Sequence, residues 1–144
     1  TDLVSDVHPL TEAMRIALEV GGVHAAKDLT RGGLASALND FASKNGVALY
    51  VSEDSVPIRE EVVAYSEMLG VDPLALACEG RVLLAAEPDA AEEIVERWKK
   101  IGYGDAAIIG EVVEGRPGYV LMETSAGGIR VVTRPSGEIV PRIC

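Results

Sequence analysis

The residue best suited to covalent chemistry in this sequence is Cys144, which stands at its C-terminal end. No following chain can bury its sulfur, so we expect an accessible thiol. A thiolate is the nucleophilic form of cysteine, which makes Cys144 a candidate nucleophile or carrier. A terminal cysteine without a role is the alternative, although an exposed free cysteine is generally avoided.

A second candidate is the segment 27–34, Lys-Asp-Leu-Thr-Arg-Gly-Gly-Leu. Thr30 is placed to cap the helix predicted to follow, and Gly32 and Gly33 would let backbone N–H groups approach an anion. Asp28 is placed to bind a hard cation such as Mg²⁺. A capped helix start whose glycines serve close packing explains the same residues equally well.

A third candidate is Glu79, which follows a short apolar helical turn and precedes a predicted buried strand. A partly buried glutamate tends to have a raised pKa, which suits a general base near neutrality. An acid on a surface turn is the simpler alternative. Cys78 follows the apolar residues 74–77, so we expect it to be a core thiol.

The composition limits the partners that these candidates can serve. The 144 residues suit one domain, and 13 basic against 23 acidic residues give a net charge of −10. This balance argues against nucleic acid or an anionic membrane as the main partner. No apolar run approaches the roughly 20 residues of a membrane span. Two distant cysteines without metal-ligand spacing indicate a reducing cytoplasm.

The elements that position these residues follow from hydrophobic spacing and from glycine and proline breaks. We predict an α+β sandwich with a mixed β-sheet packed by helices. The predicted helices cover about 9–20, 34–43, 60–69 and 89–100, and the strands 47–51, 82–86, 107–113, 119–122 and 129–132.

The residues after 133 have a different composition. Two prolines and a glycine in 134–144 preclude a helix. An extended arm of this length could reach on the order of 35 Å. We therefore predict a folded domain over 1–133 and an extended, flexible C-terminal tail over 134–144 that ends in Cys144. Because the sequence starts without Met, we expect it to be a piece of a longer protein.

Three segments together resemble one known family, namely 28–35, 72–80 and the terminal 141–144, Pro-Arg-Ile-Cys. Over essentially its whole length the sequence resembles the C-terminal domain of the HypE family of NiFe-hydrogenase maturation factors. These are carbamoyl dehydratases of the PurM-like superfamily, related to aminoimidazole ribonucleotide synthetase. The first two segments are shared more loosely across that superfamily, and the Pro-Arg-Ile-Cys ending is the specific one. The family more often has Asp-Pro-Thr and Asn-Glu-Gly where this sequence has 28–30 and 78–80.

The resemblance implies a PurM C-terminal-domain-like fold and an ATP-dependent reaction. The carbamoyltransferase HypF would load a carbamoyl group onto Cys144. ATP-dependent dehydration of this thiocarboxamide would give a thiocyanate, whose cyanide passes to iron held by HypC and HypD.

Roles for the other candidates come from the same resemblance. Glu79 would be the catalytic base and Asp28 the Mg²⁺ ligand, and the ATP contacts would be Asp28, Thr30, Arg31, Gly32 and Gly33. A preceding N-terminal domain would form the homodimer and most of the ATP site, so we expect the isolated chain to be folded but inactive.

Two other functions stay open. One is a synthetase or kinase of the same superfamily that acts on a free small molecule, with the tail incidental. The other is a docking module whose acidic surface binds partner proteins.

Overall fold

The structure is a computed structural model that describes residues 4–137. Its α-helices are α1 (Thr11–Val20), α2 (Gly33–Asn45), α3 (Glu60–Leu69) and α4 (Pro88–Lys100). Its strands are β1 (Val23–Leu29), β2 (Ala48–Ser52), β3 (Cys78–Ala86), β4 (Gly110–Val113), β5 (Val120–Glu123) and β6 (Ile129–Val131). Short 3-10 turns cover Glu53–Ser55 and Pro73–Ala75.

The strands form two sheets. One has the order β4-β2-β5-β6, in which β2 and β5 are parallel and the other neighbours are antiparallel. The other is an antiparallel ribbon of β1 and β3. This arrangement confirms the predicted α+β class and its mixed sheet.

The core lies between α2 and both sheets. Leu34, Leu38 and Phe41 recur at helical spacing on α2, and all three are buried. They belong to the same apolar cluster as Val51 of β2 and Met122 of β5. Each such side chain contributes roughly 1.5–3 kcal/mol when fully buried. Helix α2 is therefore the central element of the fold, and both sheets, including the ribbon that carries candidate residues, pack against it.

Two helices have nearly the bounds predicted from the sequence, whereas two other segments differ from their predictions. Helix α3 ends at Gly70, whose φ of 67° is left-handed, and α4 begins at Pro88. The segment 23–29 forms strand β1, which was not among the strands predicted from the sequence. Cys78, Glu79 and Gly80 belong to the start of β3 rather than to a break before it.

Among residues 4–137 there is no helix long and apolar enough to cross a membrane.

Candidate functional site

The pairing of β1 with β3 brings two of the candidate motifs together. Leu29 is the register partner of Cys78, and Asp28 is the partner of Val82, with an irregularity between the two pairs. The end of β1 that leads into the glycine turn thus lies beside the start of β3. Neighbouring strands are about 4.8 Å apart, so Leu29 and Cys78, 49 positions apart in sequence, are direct neighbours.

Asp28 and Glu79 are both exposed residues of this ribbon. Exposed and partly covered residues alternate along β1, and Asp28 is exposed whereas Lys27 is partly covered. On β3, Glu79 is exposed whereas Cys78 is partly covered. Glu79 is therefore more exposed than the partial burial expected from the sequence. Its backbone N–H donates to Asp6 Oδ2 at 3.1 Å, which holds the start of β3 to the N-terminal segment.

The start of α2 differs from the expected cap. Gly32 is the cap residue, with a left-handed φ of 66°, and no side chain caps the helix. The prediction that Thr30 caps α2 is therefore wrong: Thr30 lies two residues earlier, in the turn that follows β1. Arg31 in the same turn is exposed.

Gly33 has a packing role at this helix start. A Cβ atom at Gly33 would lie 2.3 Å from the carbonyl oxygen of Leu76 and 2.6 Å from that of Leu74, so only glycine fits there. The close-packing explanation of the glycine pair is thus correct for Gly33.

That 3-10 turn is itself fixed by a side chain. Asp72 accepts a hydrogen bond from the backbone N–H of Leu74 at 2.9 Å, which caps the turn. The other carboxylate oxygen of Asp72 accepts a hydrogen bond from Arg130 of β6, also at 2.9 Å. The turn against which Gly33 packs is therefore tied to the four-stranded sheet.

A charged cluster on α2 was not predicted. Asp40 is only 8% exposed. Its Oδ2 lies 3.0 Å from Lys27 Nζ and 3.5 Å from Lys44 Nζ, and its Oδ1 accepts a hydrogen bond from Arg134. Burial by itself would raise the pKa of Asp40, but hydrogen bonds from Lys27 and Arg134 outweigh it and lower the pKa to about 2. Asp40 is therefore ionised at neutral pH and joins β1 to the residues after β6.

The segment after β6 runs to the glycine turn. Asn39 Nδ2 donates to the carbonyl oxygen of Val132 at 3.0 Å. Three residues later, the Cγ of Pro135 lies 3.7 Å from the position that a Cβ would take at Gly32. Cys144 lies outside the described residues. Pro135, nine residues before it, lies beside the turn that carries Thr30, Arg31 and Gly32.

The other cysteine behaves as expected for a structural thiol. Cys78 is partly buried. Burial raises its pKa, since a thiolate is disfavoured away from water. Less thiolate at neutral pH means lower reactivity.

Among residues 4–137, no group of three or more His, Cys, Asp or Glu could hold a metal ion. Mg²⁺ at nucleotide sites is usually bound by one or two carboxylates, with phosphates and water completing the shell. The exposed carboxylate of Asp28 fits the role of one such ligand.

The geometry can be compared with known proteins. Residues 4–123 match the family described as AIR synthase related protein, C-terminal domain. The chain belongs to this family.

One relative is the carbamoyl dehydratase HypE of Rhodobacter capsulatus, which is 42% identical over 146 residues. That alignment covers 100% of this chain and 43% of the relative. The chain thus spans less than half the length of the curated relatives it matches. The similarity lies in their C-terminal half, as the resemblance implied.

Solved structures agree on the fold. A crystal structure of the hydrogenase maturation protein HypE in complex with ATP superposes with a TM-score of 0.90 at 37% identity, covering 99% of this chain and 44% of that one. A HypE chain from a HypE–HypF complex superposes with a TM-score of 0.86 at 36% identity, covering 94% of this chain and 44% of that one. These matches confirm the expected PurM-like fold.

Proposed function

We propose that this chain is the C-terminal domain of an ATP-dependent carbamoyl dehydratase, in which Cys144 carries the reacting group. The relatives that match the whole chain bear that name, and one similar structure contains ATP. The proposal goes beyond these similarities because it assigns the reaction to residues of this chain.

One observation carries the proposal: the chain after β6 passes beside the turn that carries the first motif, and the strand before that turn is paired with the second motif. Pro135 lies at Gly32, and Leu29, three residues before Gly32, is paired with Cys78, the neighbour of Glu79. Nine further residues lead from Pro135 to Cys144, and in extended form they span at most about 32 Å. Cys144 can therefore reach both Glu79 and the turn after Asp28, and it can also extend to a partner protein.

The reaction needs a carrier and a base. A carbamoyl group on the Cys144 sulfur forms a thiocarboxamide. Phosphorylation of its oxygen by ATP turns that oxygen into a good leaving group. Removal of the nitrogen protons and loss of phosphate then break the carbon–oxygen bond and leave a thiocyanate on the sulfur. An exposed carboxylate such as that of Glu79 can accept one of these protons.

The nucleotide would lie near the glycine turn. Backbone N–H groups at Gly32 and Gly33, with Thr30 and Arg31, would contact its phosphates. Asp28 would hold Mg²⁺, which supplies neutralisation of phosphate charge when it is bound. Most of the ATP site and the homodimer contact would belong to a preceding N-terminal domain, so the isolated chain would be inactive.

The partners follow from the chemistry. HypF would supply the carbamoyl group, which agrees with the known HypE–HypF complex. An iron centre held by HypC and HypD would accept the cyanide. Both exchanges need a thiol that can leave the dehydration site, which an arm of this length allows.

Intact-protein mass spectrometry of the two-domain parent tests the proposal. We expect a mass gain of one carbamoyl group after reaction with HypF and its carbamoyl donor, followed by loss of one water on addition of ATP. Cys144→Ala should abolish the gain. Glu79→Gln should keep the gain and slow the loss by about 100-fold or more, because a general base typically contributes 10²–10⁴-fold.

Glu111→Gln is a matched control, since Glu111 is exposed on β4, which belongs to the other sheet. It should leave both steps unchanged. Carbamoylation of Cys78 in place of Cys144 would contradict the proposal. Full activity of Cys144→Ala on a free small molecule would favour the synthetase or kinase alternative.

A further inference from the structure

We infer that Asp40 is a positioning residue for the C-terminal arm, that is, the tail of residues 134–144. By binding Arg134, Asp40 directs the start of this arm to Gly32. This inference rests on the proposed function, because it assigns a purpose to the direction of the arm. In the proposed reaction Asp40 contacts no reacting group. Its role is to set where the arm begins.

Both carboxylate oxygens of Asp40 are paired with cationic side chains. Oδ1 accepts the hydrogen bond from Arg134, and Oδ2 faces Lys27 Nζ at 3.0 Å and Lys44 Nζ at 3.5 Å. Asp40 is 8% exposed, and a covered carboxylate is retained at low cost only when it is paired. Lys27 alone could neutralise it. The additional pairing with Arg134, 94 positions away, connects α2 to the arm.

Neighbouring residues of α2 hold the chain after β6 at two successive points. Asn39 donates to the carbonyl oxygen of Val132, and Asp40 binds the side chain of Arg134. Val132 is also fixed by its own backbone N–H, which donates to Val120 at 2.9 Å, and it is 2% exposed. Two adjacent attachments define a direction, whereas one would define only a position.

From Val132 to Pro135 the chain runs along α2 toward the N-terminus of that helix. Asn39 is seven residues after Gly32, which corresponds to about 10 Å of helix. Val132 lies at Asn39, and Pro135 lies at Gly32. Three residues of extended chain cover about 10 Å, so 132–135 runs nearly straight along the helix. Arg134 reaches back from this segment to Asp40.

Loss of the attachment should reduce the concentration of Cys144 near the turn. With Arg134 released, the last attachment before Cys144 would be the buried Val132 in place of Pro135, so the number of residues from that attachment to Cys144 would grow from nine to twelve, and the attachment would move about 10 Å from the turn. The effective concentration of a linked group falls with roughly the −3/2 power of the length of its linker and with the distance of its attachment. Together these effects amount to about a two- to threefold loss.

A thiol exchange experiment on the whole 144-residue chain measures this quantity directly. Thr30→Cys is introduced in a Cys78→Ala background, and the disulfide between positions 30 and 144 is brought to equilibrium with a glutathione buffer. The ratio of disulfide to dithiol gives the effective concentration of Cys144 at the turn. Each variant's thermal unfolding is recorded in parallel, so that only folded proteins are compared.

Arg134→Ala should lower the effective concentration about two- to threefold, and Arg134→Glu should lower it further because Asp40 would repel it. Arg134→Lys should restore most of it. Lys44→Ala is the matched control: Lys44 also faces Asp40 but lies on α2 itself, so its loss should have no effect. An unchanged value in Arg134→Ala, or an equal fall in Lys44→Ala, would overturn the inference.

This readout needs neither ATP nor a carbamoyl donor. If the effective concentration falls as expected but the two-domain parent forms no thiocyanate, the proposed function fails and the positioning role stands. If the parent is active and Arg134→Ala changes neither the disulfide equilibrium nor the rate of water loss, the positioning role fails by itself.

Discussion

Replacing Gly33 with alanine should weaken the fold at the point where the glycine turn meets the 73–75 turn. Gly33 has a φ of 57°, which is left-handed, and its missing Cβ would overlap the carbonyl oxygens of Leu76 and Leu74 at 2.3 and 2.6 Å. These oxygens belong to the backbone and cannot move without displacing the turn. Asp72 and Arg130 resist that displacement because they tie the turn to β6.

Two costs add up in Gly33→Ala. An alanine in the left-handed region loses about 1 kcal/mol relative to glycine. Overpacking a tight site costs about 1–3 kcal/mol more. We therefore expect a loss of about 3 kcal/mol in the free energy of unfolding. At the other end of α2, Gly46 has a similar φ of 64° but nothing within 4 Å of its missing Cβ. Gly46→Ala should lose only the first cost, about 1 kcal/mol.

Equilibrium urea unfolding of the wild-type chain and both variants measures the difference, which we expect to be about 2 kcal/mol with unchanged m-values. Because both variants replace a left-handed glycine at an end of the same helix, the comparison isolates the overlap with the turn. Equal destabilisation of the two variants would show that Gly33 is needed only for its backbone conformation. The close-packing explanation would then be wrong.

The remaining predictions concern Asp40 and the core. Because the pKa of folded Asp40 is about 2, below its ordinary value of 3.8, its stabilising effect is complete above about pH 4 and is lost as the pH falls toward 2. Asp40→Asn should therefore have a free energy of unfolding about 1 kcal/mol lower than that of the wild type at pH 7, after allowance for nearby solvent. Urea unfolding at several pH values should show this difference shrinking between pH 4 and pH 2. A difference that persists at pH 2 would contradict the role of the ionised carboxylate. Trp98→Phe removes the hydrogen bond from its Nε1 to the carbonyl oxygen of Ala13 at 2.8 Å, which should cost about 1 kcal/mol and loosen α1 from α4, as hydrogen exchange would show. Met122→Ala in the core should cost about 2–5 kcal/mol by the same unfolding assay, and a smaller loss than in Trp98→Phe would contradict the assigned core.

The helices were more predictable than the strands because their ends carry local signals. Gly70 ends α3, and Pro88 opens α4, whose last turn is basic. Strand β1 was not predicted because Lys27 and Asp28 interrupt its apolar residues. The alternation of exposed and partly covered positions along β1 is visible only in the fold, because Ala26 is exposed and Lys27 is partly covered.

The site was predictable only where its residues are close in sequence. The turn of Thr30, Arg31 and Gly32 and the strand start at Glu79 could be identified as motifs, whereas their proximity depends on the β1–β3 register. The pairings of Asp40 with Arg134 and of Asp72 with Arg130 join positions 94 and 58 apart. Such contacts depend on the completed fold, and no local pattern indicates them. A mid-helical aspartate beside Phe41 was the one available signal.

The alternation along β1 also limits which changes in chain length this protein can tolerate. Lys27 faces α2 and the arm, whereas its neighbour Asp28 belongs to the opposite, exposed face. Deleting or inserting a single residue between Val23 and Ala26 would exchange the two faces. A deletion would put Asp28 in the place of Lys27, so that an acid would meet Asp40, whereas an insertion would put Lys27 in the exposed place of the Asp28 carboxylate. A substitution in β1 changes one side chain only, whereas an insertion or deletion of one residue moves every following side chain of the strand to the other face.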